Sequence, residues 1–233
     1  MEKDQTESDD HPDHYGCIKM IIDERYTTFV NSFLPQKSAF LEKLEETAKQ
    51  DNVPIIRREM QGLLSVILAS KRPAKILEIG TAVGFSALFM EEVSGVPVQI
   101  TTIENYEKRI VEAEKNFHAA GKEDVILFLK GDAQEILPTL NEKYDLIFMD
   151  AAKGQYLHFL DDTIRLLADN GMIISDNIFQ DGELIESRFA VKRRDRTIHK
   201  RMREFLYQIT HDEKLVTTIL TVGDGVAISV KRG

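Results

Sequence analysis

Two acidic residues and an amide follow apolar segments in the second half of the chain. Asp150 ends the segment YDLIFMD, and Asp176 and Asn177 end the segment GMIISDN. Their side chains offer only oxygen donors, which suit Mg²⁺, Mn²⁺ or Ca²⁺ better than zinc. Asp176 and Asn177 could instead cap a helix or a turn, but such a cap does not account for Asp150. We therefore predict a divalent-metal site with ligands Asp150, Asp176 and Asn177.

A lysine lies close behind the first of these acids, because Lys153 follows Asp150 in the segment DAAK. A lysine that lies near a cation and is partly shielded from water has a lowered pKa and can accept a proton. The alternative is an ordinary surface lysine, since most lysines are exposed. The metal set favours the first interpretation, so we predict a catalytic pair of Lys153 as general base and Asp150.

A glycine-containing turn follows the first apolar segment, in the sequence LEIGTAVGFSA at 77–87. Glycines in such a turn let the backbone approach a ligand before a helix begins. The spacing of Gly80 and Gly84 is not the Gly-x-Gly-x-x-Gly of dinucleotide-binding proteins, and the acidic Glu78 suits a cationic ligand better than a pyrophosphate. Glu104 ends the next apolar segment, where a carboxylate accepts hydrogen bonds from ribose hydroxyls. Together with Asp132, these residues favour a nucleoside cofactor over a purely structural turn.

The elements that position these residues are apolar strands that alternate with helices. Three helices are predicted between residues 18 and 70, before the first strand. Strands are predicted at 75–80, 98–104, 125–130, 144–150 and 171–177, and a closing hairpin is predicted at 214–220 and 225–232. This alternation indicates an α/β fold with a mostly parallel seven-stranded sheet, helices on both faces and a C-terminal antiparallel hairpin. Ligands of such sheets bind beyond the carboxyl ends of the strands, where the polar residues lie.

Composition and charge limit the class of protein further. The formal net charge is −9, and residues 1–17 are polar, acidic and without periodicity, so we expect a disordered tail before a single domain at 18–233. Cys17 is the only cysteine, which excludes an internal disulfide and fits a reduced, cytoplasmic setting. No secretory signal and no long apolar run is present, so we expect no membrane partner.

One segment departs from the acidic average, since residues 192–203 (KRRDRTIHKRMR) contain seven Lys and Arg and one Asp. A local basic surface on an acidic protein suggests a polyanionic partner, and a solvated helix face is the alternative. The cations that we assign to phosphate binding are Lys192, Arg193, Arg194, Arg196, Lys200, Arg201 and Arg203, with Arg57 and Arg58 as additions.

The motifs LEIGTAVGFSA, GDA at 131–133, DLIFMDAAKGQY and GMIISDN resemble those of the metal-dependent O-methyltransferases of the catechol and caffeoyl-CoA type. The resemblance covers about residues 19–233 and implies a Rossmann-like fold, an S-adenosylmethionine (SAM) cofactor and Mg²⁺ or Ca²⁺. It implies that Asp150, Asp176 and Asn177 hold the metal and that Lys153 is the base. The SAM contacts that it implies are Met60, Glu78, Gly80, Ser86, Glu104, Asp132, Ala133 and Asp150.

A subgroup of that family, the bacterial tRNA 5-hydroxyuridine methyltransferases, is similar in further segments, among them VPIIRREMQGLL, SDNIFQDG and VKRRDRTIHKRMREF. This resemblance implies a homodimer that methylates the 5-hydroxyl of a wobble uridine in the tRNA anticodon loop. Both a catechol and a 5-hydroxyuracil offer two neighbouring oxygens to a metal, so a small-molecule acceptor is the alternative. An NAD-dependent oxidoreductase and a non-catalytic RNA-binding module fit less well, because the dinucleotide spacing is missing and the metal set is intact.

Overall fold

The structure is a computed structural model and describes residues 24–233. Within this range the chain forms eight α-helices and seven β-strands that build one mixed sheet. The strands are β1 (Lys75–Ile79), β2 (Gln99–Glu104), β3 (Ile126–Lys130), β4 (Tyr144–Met149), β5 (Leu167–Ser175), β6 (Leu215–Leu220) and β7 (Val226–Lys231). The helices are α1 (Glu24–Asn31), α2 (Ala39–Gln50), α3 (Arg58–Lys71), α4 (Phe85–Val93), α5 (Glu107–Ala120), α6 (Ala133–Ile136), α7 (Tyr156–Leu166) and α8 (Arg196–His211).

The strand order is β3-β2-β1-β4-β5-β7-β6, which confirms the predicted α/β sheet and its antiparallel C-terminal hairpin. The strands β1 to β5 are parallel, whereas β7 pairs antiparallel with β5 and with β6. The order reverses direction at β1, because β2 and β3 lie on one side of it and β4 and β5 on the other. Polar residues at the carboxyl ends of β1 and β4 therefore meet at the point where open α/β sheets bind ligands.

Alternate residues of the central strands point into two separate cores. On one face, Ile76 and Phe148 pack with the helices α2 to α5, and on the other face, Leu77 and Met149 pack with α7 and α8. Since both faces are covered, the central strands are mostly apolar, as the segment LIFM of β4 shows, and the buried Glu78 is an acidic exception in β1. The helices on both faces hold the sheet ends in place around the site.

The fifth strand is longer than the sequence indicates. It begins at Leu167, which pairs with Tyr144, and the register shifts before Leu146 pairs with Met172. The segment ADNG at 168–171 is the irregular part of this strand, because its residues fall in the register shift and Asn170 has a φ of +59°, a conformation that Asn tolerates in turns. The predicted acidic tail at 1–17, including Cys17, lies outside the described residues. Among residues 24–233, no helix has both the length and the apolar character that a membrane span requires.

Candidate active site

A cavity of about 520 Å³ lies at the carboxyl ends of the strands β1 to β5. Its wall includes the segment 54–57 that precedes α3, the β1–α4 turn, and the residues that follow β2, β3, β4 and β5. Of the residues predicted to act at a site, those in the wall are Arg57, Gly80, Ser86, Glu104, Asp132, Ala133, Asp150 and Asn177. The fold therefore brings together side chains that are far apart in the sequence.

The β1–α4 turn forms the floor of the cavity. Gly80 has a φ of +105°, and a Cβ atom there would lie 2.4 Å from the carbonyl oxygen of Asp150. Gly84 has a φ of +82° and is the N-cap of α4, and no side chain of the described residues caps that helix. Since Phe85 and Ser86 line the cavity, the N-terminal end of α4 faces a ligand space in which its amides can bind an anionic group.

Two carboxylates lie in the wall beyond β2 and β3. Glu104 accepts hydrogen bonds from the backbone amides of Ala82 at 2.8 Å and Tyr106 at 2.9 Å, which fix its orientation. Asp132 caps α6 by accepting a hydrogen bond of 2.9 Å from the amide of Gln134. Each carboxylate has about four lone-pair positions, so both retain acceptor capacity for hydroxyl groups or amines of a ligand.

Two predicted cofactor contacts lie behind the wall and not in it. Met60 is 1% exposed and belongs to the core between α3 and the sheet, and Glu78 is fully buried. Thr102 donates a 2.5 Å hydrogen bond to Glu78, whose Oε1 atom has no hydrogen-bond partner among the described residues. Burial raises the pKa of Glu78 to about 7, although hydrogen bonds from Ser86 and Thr102 oppose this shift. Contacts of these two side chains with a cofactor stay predictions.

The predicted metal ligands are neighbours in space. The side-chain amide of Asn177 donates a 2.9 Å hydrogen bond to Asp150, and its backbone amide donates one of 2.7 Å to Asp176. Burial and the nearby charge of Asp150 raise the pKa of Asp176 to about 7, while the Asn177 amide and Arg57 counteract them. A divalent ion between two neighbouring carboxylates would remove their repulsion, so this geometry is compatible with the predicted metal site.

The donor set also limits how a cation is held. In residues 24–233, no three Asp, Glu, His or Cys side chains are grouped so that they could hold a metal ion. The set therefore depends on the Asn177 amide oxygen as its third ligand, and that amide now faces Asp150 with its nitrogen. Asparagine oxygen and nitrogen are assigned from the hydrogen bonds, so a rotation of the amide about its last bond would present the oxygen. Oxygen-only donors fit Mg²⁺ or Ca²⁺.

Tyr156 is a positioning residue that the sequence did not reveal. It is buried, and its hydroxyl lies 3.0 Å from the carbonyl oxygens of both Met149 and Asp176. It thus links the ends of β4 and β5, which are followed by the predicted metal ligands Asp150, Asp176 and Asn177. In the sequence, its position in the motif GQY, where the apolar face of α7 begins, could have indicated this buried role.

The segment after Asp150 forms a single 3-10 turn, Lys153–Gln155, before α7 begins. Arg201 of α8 donates a 3.3 Å hydrogen bond to the carbonyl oxygen of Gly154, and Gln155 accepts one of 2.7 Å from Gln134. These contacts fix the backbone of the turn at the edge of the cavity. The proposed base Lys153 lies in this turn, and the position of its side chain is outside the described part of the structure.

The basic segment 192–203 divides into cations that bind the chain itself and cations that face solvent. Arg196 donates to the carbonyl oxygens of Val191 at 3.2 Å and Phe189 at 3.4 Å. Arg203 donates to Leu184 at 3.4 Å, and Arg201 holds the 3-10 turn as described. The exposed members are Lys192, Arg193, Arg194, Lys200 and Arg203, so Arg203 belongs to both groups, and Arg194 pairs with Asp195 at 3.3 Å. The sequence could not separate these two groups, because both have the same residue types.

Arg57 and Arg58 point to different places although they are adjacent in sequence. Arg57 lies in the wall of the main cavity and forms an ion pair of 3.7 Å with Asp181. Arg58 lines a separate cavity of about 60 Å³ between α3, α4 and the segment 34–37, and its Nε atom is buried. A helix turns by about 100° per residue, so consecutive side chains at its start diverge.

Comparisons with known proteins agree with this architecture. The chain is 34% identical over 160 residues to O-methyltransferase hkm8 of Aspergillus hancockii, covering 66% of this chain and 63% of that protein. It is 31% identical over 179 residues to the catechol O-methyltransferase of Mycobacterium tuberculosis, covering 74% and 79%. The chain thus spans less than two thirds of the first relative's length.

Solved structures give the same result for the fold. A Staphylococcus aureus protein crystallised as a candidate caffeoyl-CoA O-methyltransferase superposes with a TM-score of 0.82 at 30% identity, over 90% of this chain and 100% of that chain. The O-methyltransferase from Bacillus cereus in complex with SAH superposes with a TM-score of 0.78 at 24% identity, over 89% and 97%. The sequence profile of the O-methyltransferase family matches residues 32–232. The chain therefore belongs to the O-methyltransferase family.

Proposed function

We propose that this protein transfers a methyl group from SAM to a hydroxyl of a small acceptor that has two neighbouring oxygens, as a catechol does, with the help of a divalent cation. One observation carries the proposal. Asp150 and Asn177 line the same cavity as Gly80, Glu104 and Asp132, and the buried Asp176 accepts a hydrogen bond from the Asn177 backbone amide. A single cavity thus offers a place for a nucleoside and a place for a metal-bound acceptor.

The half of the cavity at β1, β2 and β3 suits SAM. Glu104 and Asp132 would accept hydrogen bonds from its ribose and amine groups, and the N-terminal end of α4 would bind its carboxylate. Gly80 keeps the floor free of a side chain, so that the ligand can lie against the backbone at the end of β1. The SAH that the Bacillus cereus relative binds supports this choice of cofactor.

The half at β4 and β5 suits the acceptor. A divalent cation bound in this half would supply Lewis acidity, and SAM in the other half would supply a methyl group on a positively charged sulfur. Asp150, Asp176 and Asn177 would hold the cation, while the buried Tyr156 keeps the ends of β4 and β5 in register. Lys153 would take the proton of the acceptor hydroxyl on Nζ. The methyl transfer would exchange a sulfur–methyl bond of SAM for an oxygen–methyl bond of the acceptor, with SAH as the second product. Much of the rate enhancement comes from alignment.

The cofactor assignment is tested by calorimetry of the purified protein. SAM should bind, and Glu104→Gln should weaken its binding by about 1.5–3 kcal/mol, the usual contribution of a hydrogen bond to a charged group. Glu107→Gln is the matched control, since Glu107 is exposed on α5 and outside the cavity wall. Tighter binding of NAD than of SAM would refute the assignment.

A second candidate function is methylation of 5-hydroxyuridine in the anticodon loop of tRNA. The observation that favours it is a group of exposed cations before and on α8, a helix whose Arg201 contacts the turn at the cavity edge. These cations include Lys192, Arg193, Arg194 and Lys200. Cations at that place could bind RNA phosphates while a splayed base enters the cavity. The similarity to catechol methyltransferases supports the small acceptor, so the tRNA substrate takes second place.

A direct competition separates the two acceptors. The protein is incubated with SAM, Mg²⁺, a catechol and an anticodon stem-loop that contains 5-hydroxyuridine, and both products are measured by mass spectrometry. We expect methylation of the catechol. We expect methylation of the RNA only if the exposed cations bind its phosphates. A much larger kcat/KM for the RNA would reverse the order of the two proposals.

We also propose a homodimer. The helix α1 supports it, because it has no buried residue and exposes Tyr26, Phe29 and Val30 on a surface that water solvates poorly. Sedimentation of the full chain should give twice the mass of one chain, and a monomer at all concentrations would refute the proposal.

A further inference from the structure

Arg57 is a cation in the half of the cavity that we assign to the acceptor. It is the N-cap residue of α3 and follows the wall segment 54–56. Its ion-pair partner Asp181 lies on the connection that follows β5, a few residues beyond Asp176 and Asn177. The SAM half of the cavity is on the other side of β1, at the ends of β2 and β3. A cation at this place is not required for an acceptor that is neutral.

The ion pair of Arg57 is weak by its geometry. The Nη2 atom is 3.7 Å from Asp181 Oδ1, which is longer than a hydrogen bond, and the side chains are 49% and 73% exposed. Exposed pairs of this kind contribute little, because water screens both charges. Asp181 can therefore be exchanged for another carboxylate at small cost.

Asp181 itself is held in place by a buried acid. Asp224 is 2% exposed, and its two carboxylate oxygens accept hydrogen bonds of 2.8 and 2.9 Å from the backbone amide of Asp181. A side-chain atom placed on Gly223 would lie 3.6 Å from Cδ of Arg57, so the β6–β7 turn passes close to the stem of the arginine. The structure thus fixes a carboxylate and an arginine face to face at the rim of the acceptor half.

We propose that Arg57 recognises a carboxylate of the acceptor, and that the preferred acceptors are therefore aromatic acids with two neighbouring hydroxyls. The proposal rests on the proposed O-methyl transfer and adds the substrate class. The planar guanidinium has the geometry to bind a carboxylate with two hydrogen bonds. Such an acceptor would place its hydroxyls near Asp150 and Asn177 and its acid group at the rim, where it replaces Asp181 as the partner of Arg57.

The test compares 3,4-dihydroxybenzoate with its uncharged amide, which has the same shape. For the full-length protein with SAM and Mg²⁺, kcat/KM is measured for both acceptors in the wild type, Arg57→Gln and Arg188→Gln. Arg188 is exposed and outside the cavity wall, so it is the matched control. The acid-to-amide ratio should fall by about 10-fold to 100-fold in Arg57→Gln, as expected for a lost charged hydrogen bond, and stay constant in Arg188→Gln. Calorimetric dissociation constants of the two acceptors should change in the same ratio.

A second variant acts in the opposite direction. Asp181→Asn removes the competing carboxylate, and asparagine tolerates the φ of +54° at this position. It should raise the acid-to-amide ratio by about 2-fold to 5-fold, which corresponds to the small contribution of an exposed pair. An unchanged ratio in Arg57→Gln, with both acceptors methylated, would overturn the role of Arg57 and leave the proposed function intact. If neither acceptor is methylated by the wild type, the proposed function fails, and this substrate class fails with it.

Discussion

Substitution of Gly80 by alanine should damage the cavity floor more than the same change at another left-handed glycine. A Cβ at Gly80 would approach the carbonyl oxygen of Asp150 to 2.4 Å and its carbonyl carbon to 2.8 Å, whereas real Cβ atoms do not come within 3.0 Å. The neighbour is backbone at the end of β4 and cannot rotate away. At Gly121, by contrast, the φ is +62° and nothing lies within 4 Å of the added atom.

The difference between the two variants has a definite size. Both pay about 1–2 kcal/mol for a left-handed L-residue. Gly80→Ala adds the cost of forcing the ends of β1 and β4 apart, about 1–3 kcal/mol for an overpacked position. For a chain of this length, each kcal/mol lowers Tm by about 2–4 °C, so Gly80→Ala should melt about 2–12 °C below Gly121→Ala.

The assay is thermal unfolding of both variants together with calorimetry of SAM binding. Gly121→Ala should bind SAM as the wild type does, because it lies at the C-terminal end of α5 and outside the cavity wall. Gly80→Ala should bind it far more weakly, since the floor moves. Equal melting temperatures for the two variants, with unchanged SAM affinity in both, would refute the assignment of this turn as the cavity floor.

Three further predictions follow from the same contacts. The buried Glu78 has its pKa raised from 4.5 to about 7, so the folded protein holds a proton that the unfolded chain releases, and stability should fall as pH rises from 4.5 to about 7. Glu78→Gln should flatten that decline and gain up to about 3 kcal/mol above this range, measured by urea unfolding, and parallel profiles would contradict it. Tyr156→Phe removes the hydroxyl that lies 3.0 Å from the carbonyl oxygens of Met149 and Asp176, of which Met149 keeps the Asp176 amide as a donor. The change should cost about 1–3 kcal/mol in unfolding free energy, whereas a loss of stability near zero would show that the hydroxyl links nothing. If RNA binds, replacing Lys192, Arg193 and Lys200 by glutamine should lower the salt slope of its affinity by about 0.7–0.9 for each lost phosphate contact, and an unchanged slope would indicate a solvated surface.

The architecture was predictable because it depends on patterns within single segments. The strands β1 and β4 are mostly apolar, and Gly80 and Asp150 follow directly at their ends, so that the topology alone brings them together. The hairpin around Gly223 was predictable for the same reason, because its pattern lies within one short segment. These features need no knowledge of side-chain direction.

The rest of the site depends on which way side chains point, and the sequence does not contain that directly. From the sequence, the adjacent Arg57 and Arg58 look equivalent. In the structure, Arg57 lines the acceptor half of the main cavity, whereas Arg58 lines a separate small cavity. In the same way, Asp224 between two glycines resembles an ordinary turn residue, although it is buried and orders the segment around Asp181. Contacts between segments far apart in the chain decide these roles.

The most direct test of the central claim is the rate of methyl transfer from SAM to 3,4-dihydroxybenzoate by the purified protein, measured with Mg²⁺ and with a chelator. Asp176→Asn is measured beside the wild type, because it removes one charge from the predicted metal ligands and keeps their shape. We expect one added methyl group on the acceptor with Mg²⁺, loss of the product in chelator, recovery when Mg²⁺ is restored, and little product from Asp176→Asn. Full activity in chelator, or an Asp176→Asn variant as active as the wild type, would contradict the account.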